Sequence, residues 1–100
     1  MRVSRLSAEE IAARLSSVPD WAMDESGMLR RTFTFPGFLD AIAFVNRVAE
    51  AAERADHHPD IDIRWNRATL ALVTHDSGGL TEKDFALAQE ADGLRYNGPT

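Results

Sequence analysis

The three histidines of this 100-residue chain all lie in one stretch, Glu53 to Asp84. Histidine is the side chain that gives or takes a proton near neutral pH without help, its unperturbed pKa being about 6.5. Three in one segment therefore suit acid-base work. His57 and His58 are adjacent and run straight into Pro59, while His75 follows Trp65 after nine intervening residues. Glu53 stands one helical turn before His57, so a helix that reached that far would let its carboxylate orient the imidazole. The same His-His-Pro triplet also reads as a helix end followed by a surface turn.

Other chemistries fit less well. Three histidines and a carboxylate invite comparison with a zinc site. However, neighbours such as His57 and His58 point in different directions in most backbone conformations, and no His-x-His or His-x-x-x-His spacing occurs, so no metal is expected. The absence of cysteine removes thiolate ligands and disulfides together. No serine sits in a Gly-x-Ser-x-Gly turn, which leaves Ser77 as a loop residue. Gly78-Gly79 before a capped helix offers either an anion cradle or a simple turn. Trp21 and Trp65 are candidates for stacking on a flat ligand, or for core and interface.

The elements that must position these residues can be read from period and punctuation. Ser7 with Glu10 forms a capping box and opens a first helix whose stripe is Ile11, Leu15 and Val18, stopped by Pro19. Two strands, 20–25 and 29–35, flank the turn pair Ser26-Gly27. From Phe38 the period becomes helical: Phe38, Ile42, Val45, Ala49 and Ala52 form a stripe that Phe44, Val48 and Ala51 widen, ending near Asp56 because Pro59 keeps His58 out of the helical region. Ile61, Ile63 and Trp65 alternate with polar residues, a turn at Asn66-Arg67 follows, and a strand runs from Ala68 to His75. Thr81 caps a last helix running to about Asp92, with Gly93 as its stop and a frayed tail from Arg95. The expectation is an α+β fold in the order α-β-β-α-β-β-α: a four-stranded antiparallel sheet with three helices on one face, residues 1–100 forming one domain.

Bulk properties narrow the function. The net charge of −5 and the scattered arginines argue against direct nucleic-acid binding, which needs clustered cations. The basic N-terminus has no apolar run behind it and no segment approaches a membrane span, so a soluble cytoplasmic protein with no membrane association is expected. An open sheet with unpaired edges and an uncovered face leads to the expectation of a homo-oligomer, a dimer or tetramer.

The pattern Glu53-x-x-x-His57-His58-Pro59, then Trp65, His75 and Asp84, resembles the signature of the pterin-4a-carbinolamine dehydratases, and Thr74 to Asp84 resembles the family's second block. The resemblance implies an enzyme, a hydro-lyase that removes water from 4a-hydroxytetrahydrobiopterin to give quinonoid dihydropterin and so supports tetrahydrobiopterin recycling. Pterin is then the substrate and no cofactor is called for; an aromatic amino acid hydroxylase is the implied partner. Carried over by position, His57 and His75 are the acid-base pair and His58 a substrate contact within the catalytic set. Glu53 and Asp56 are carboxylates near the pterin, with Pro59 beside them and Trp21 at the cavity edge. Asp84 is the family's last motif carboxylate, or equally the capping acid of the third helix. The alternative is a non-catalytic dimerisation or transcription-cofactor module of the same fold.

Overall fold

A computed structural model describes residues 3–95. Helix α1 (Ala8–Leu15) starts at the expected capping box: Ser7 Oγ accepts from the Glu10 N–H at 3.1 Å, and the Glu10 carboxylate accepts from the Ser7 N–H at 2.8 Å. Strands β1 (Ala22–Met23) and β2 (Leu29–Thr34) are joined by a turn built on Asp24, whose carboxylate takes the N–H groups of Ser26 and Met28 and the Arg30 guanidinium. Helix α2 (Phe38–Ala55) is the longest element. Strands β3 (Asp60–Arg64) and β4 (Arg67–Leu72), a 3₁₀ turn at His75–Ser77 and helix α3 (Glu82–Leu94) complete the order.

The sheet is antiparallel throughout, in the order β1-β2-β4-β3, with the three helices on one face. Register decides which side chains they cover. Leu29 lies opposite Leu72, Arg31 opposite Leu70 and Phe33 opposite Ala68, so these share the helix side, while Arg30, Thr32, Thr34 and Arg67 share the other. Phe44 of α2 packs 4.5 Å from Phe33 and 5.1 Å from Phe35, ring centre to ring centre, and Trp21 meets Phe33 edge-on at 6.0 Å. Burying one such side chain contributes about 1.5–3 kcal/mol. Arg31 lies 4.1 Å above the Phe33 ring and reaches Asp92 at 2.6 Å, tying the β1–β2 hairpin to the end of α3.

Several boundaries differ from the sequence expectation. The second hairpin turns at Trp65-Asn66, because Trp65 adopts a left-handed φ of 53° and Asn66 bonds back to Phe35; Trp65 is therefore 69 % exposed and outside any strand. Strand β4 begins at Arg67 and ends at Leu72, which leaves His75 in the 3₁₀ turn. The fully buried stripe of α2 is Ala41, Phe44, Val48, Ala51 and Ala52, so the helix is rolled away from Phe38, which is 48 % exposed. Helix α1 stops short of Val18, which is buried from the following turn. Gly93 sits inside α3 because tertiary packing carries the helix to Leu94. The expected tail from Arg95 lies beyond the described residues except for Arg95 itself.

Candidate active site

The site is organised by how α2 ends. Asp56 takes a left-handed conformation (φ 51°, ψ 45°), its N–H bonding to the carbonyls of Ala52 and Glu53, and the His57 N–H reaches back to Ala52 at 3.1 Å. That reversal turns the two histidines to opposite environments. His57 points inward, 8 % exposed, with Nε2 2.6 Å from Asp84 Oδ1. His58 stays exposed, with Nε2 2.6 Å from Glu53 Oε1. The carboxylate one turn before His57 thus serves its neighbour, a correction to the expected Glu53–His57 pair. The helix has already closed before His57, so the spacing that governs a continuous helix no longer applies.

Asp84 is 0 % exposed and serves two structures at once. As the third residue of α3 it closes the capping box, accepting the Thr81 N–H at 2.9 Å. The same oxygen, Oδ2, accepts the Thr74 hydroxyl at 2.8 Å, and the two threonine hydroxyls meet at 2.7 Å. Oδ1 is left for His57. The two alternatives open for Asp84 are both realised: it caps α3 and it backs a histidine.

His75 follows Thr74 directly and opens the 3₁₀ turn, which Gly78 closes at a left-handed φ of 78°. A backbone bridge between Thr74 and Gly79 pins this loop beside α3. The result is a cavity of about 270 Å³ with Asp56, His57 and His58 from the end of α2, Thr74, His75 and Asp76 from the loop, and Val73 and Lys83 completing the lining. A buried ring beside two exposed ones, around a polar hollow, can deliver a proton to one atom of a ligand and remove one from another.

Not every expected residue arrives here. Trp21 is 4 % exposed and donates from Nε1 to Asp92 at 2.8 Å, outside this lining; the short β1 strand packs it into the core against Phe33. Pro59 directs the chain into β3 and is not among the lining residues. Thr74, Asp76 and Lys83 were not singled out by sequence reasoning. Thr74 precedes His75 and Lys83 is the chain's single lysine, so both carried a signal. A larger cleft of about 520 Å³ lies between the start of α1 and Met23, but it contains no histidine and its carboxylate, Glu10, is held by the Ser7 cap. Among the described residues no three His, Asp or Glu side chains are grouped to hold a metal ion.

Residues 4–94 match the family model for pterin 4 alpha carbinolamine dehydratase. A protein of Chloroflexus aggregans, provisionally named a pterin-4-alpha-carbinolamine dehydratase, is 56 % identical over 90 residues, covering 90 % of this chain and 96 % of that one. A crystal structure described as a transcriptional coactivator/pterin dehydratase from Brucella melitensis superposes with a TM-score of 0.89 at 30 % identity, covering 93 % of this chain and all of that one. A pterin dehydratase-like RuBisCO assembly factor of the alpha-carboxysome, 24 % identical with a TM-score of 0.65 over 76 % of this chain and 89 % of that one, shares the fold. With a family model spanning nearly its whole length, the chain belongs to the pterin-4a-carbinolamine dehydratase family.

Proposed function

We propose that the chain dehydrates a 4a-hydroxytetrahydropterin to quinonoid dihydropterin. The observation that carries this reading is the convergence of His57, His58 and His75 on one cavity, with Asp84 buried behind His57. In the reaction the C4a–O bond breaks as its oxygen is protonated, a neighbouring ring N–H gives up its proton, a C=N bond forms, and the hydroxyl leaves as water. His57 and His75 serve these two protons. His58, steadied by Glu53, and the exposed Asp56 contact the pterin, whose ring N–H groups are donors for a carboxylate. Trp21 supports the fold instead of the substrate. No metal or cofactor is assigned a role, and dialysis against EDTA is expected to leave turnover intact. Restoration of lost activity by zinc would replace proton transfer with Lewis-acid catalysis.

Stopped-flow dehydration of a carbinolamine tests the assignment. His57→Ala and His75→Ala should each lower kcat by roughly 10²- to 10⁴-fold in folded protein, while His58→Ala should mainly raise KM. Near-normal turnover in both of the first two would turn the reading toward a non-catalytic interaction module. The carbinolamine is a product of aromatic amino acid hydroxylases, which makes such an enzyme in the cytoplasm the partner this reading requires. No helix among the described residues is long and apolar enough to cross a membrane.

We further infer a homo-oligomer. The open sheet face is polar and needs no cover, but β3 is an edge strand with Ile61 38 % exposed on its helix side, and Phe38 and Leu39 stand exposed on α2. Self-association would cover both. A monomeric mass by light scattering at micromolar concentration contradicts it.

A further inference from the structure

Behind the histidine cavity runs a hydrogen-bond chain with only one consistent direction. The backbone N–H of Lys83 donates to Thr81 Oγ1 at 3.2 Å. Thr81 Oγ1 and Thr74 Oγ1 meet at 2.7 Å, and Thr74 Oγ1 lies 2.8 Å from Asp84 Oδ2. A carboxylate accepts only, so the Thr74 proton points at Asp84; the Thr81 proton must then point at Thr74. Oδ2 also takes the Thr81 N–H at 2.9 Å, which leaves Oδ1, 2.6 Å from His57 Nε2, to accept from the imidazole. Thr81 and Asp84 are 0 % exposed, Thr74 9 % and His57 8 %, so little water competes for any link.

We propose that Thr74, with Thr81 behind it, is a positioning residue that holds the Asp84 carboxylate and through it keeps neutral His57 in the tautomer with Nε2 protonated and Nδ1 free to accept a proton from the cavity. The Thr74 hydroxyl occupies the one site on Oδ2 that the α3 backbone leaves open. Without it the carboxylate has a free lone pair and can swing about its Cβ–Cγ bond, and His57 loses a single orientation. Thr74 also carries His75 as its next residue, and its backbone is fixed by the bridge to Gly79. One side chain thereby joins the segments that hold the two proton-transferring histidines. A change of orientation at Asp84 would be felt on both sides of the cavity.

The proposal rests on the dehydratase reading only for its kinetic consequence, and the test separates the two. Long-range ¹H–¹⁵N correlation on uniformly labelled full-length protein reports the His57 tautomer directly. Wild type should show protonated Nε2 and unprotonated Nδ1; a predominant Nδ1–H form in wild type overturns the proposal with no variant needed. Thr74→Val keeps the shape and removes the hydroxyl, and should give a mixture of tautomers together with a kcat loss of about tenfold at little cost in KM. Thr74→Ser restores the hydroxyl and should restore both readouts. A Thr74→Val protein that keeps the wild-type tautomer overturns the proposal whatever its turnover. A wild-type protein with the expected tautomer, lost in Thr74→Val, but no acceleration of dehydration would support the relay and retire the dehydratase reading.

Discussion

Two of the three helices, α1 and α3, open on the same spacing of leucine, hydroxyl cap and acid and put it to different ends. Leu6-Ser7-Ala8-Glu9-Glu10 opens α1 and Leu80-Thr81-Glu82-Lys83-Asp84 opens α3; each forms a complete capping box, and the two are stitched together where the Leu6 N–H bonds to the Leu80 carbonyl at 2.8 Å. Ser7 and Glu10 are exposed, and their reciprocal bonds do no more than begin a helix. Thr81 and Asp84 are fully buried, and the same reciprocal bonds leave the acid's second oxygen and the cap's hydroxyl available to a histidine and a threonine. A local rule for starting helices becomes part of a site once it is taken out of water, because every remaining lone pair then needs a partner.

The comparison can be broken at several strengths. Asp84→Ala removes the acceptor for three buried groups and should cost about 3–5 kcal/mol in urea unfolding, with loss of turnover. Asp84→Asn keeps the shape and should keep the fold while kcat drops about a hundredfold or more, because an amide cannot orient the ring as a carboxylate does. Thr81→Ala should cost about 2 kcal/mol, the upper range for a lost cap, since it also removes the donor to the buried Thr74 oxygen. Ser7→Ala should cost about 1 kcal/mol with kcat unchanged. Equal losses for Thr81→Ala and Ser7→Ala would erase the distinction between the two boxes.

The smallest effect is a pH dependence. The Ser7 backbone N–H and then its hydroxyl hold the Glu10 carboxyl below its ordinary value of 4.5, so its contribution to stability is present above that value and is lost as pH falls through the lower folded one. Glu82, lowered by its bond to Arg14, acts in the same sense at the same corner. Wild type should therefore exceed Glu10→Gln in Tm at pH 7 by more than it does near pH 3; an unchanged gap between the two pH values counts against the box as an ionic device.

Both boxes were legible in sequence because Ser or Thr followed three residues later by an acid is a local signal. The element order and the end of α2 near Asp56 were legible for the same reason, Pro59 and the change of period being written into neighbouring residues. The pairing of His57 with Asp84 was not, since it joins positions 27 apart and depends on how α3 docks on α2. Nor was the exchange of Glu53 from His57 to His58, which follows from a single left-handed residue at Asp56. Trp65 misled for a related reason: its place in an alternating pattern could not reveal a positive φ.

Lys83 has a practical consequence. The chain holds ten arginines and one lysine, and that lysine borders the histidine cavity with its side chain exposed. Apart from the terminal amine, an acylating reagent therefore has a single address on this protein. Protection of that address by a bound pterin would report occupancy of the cavity by mass spectrometry, with no turnover required.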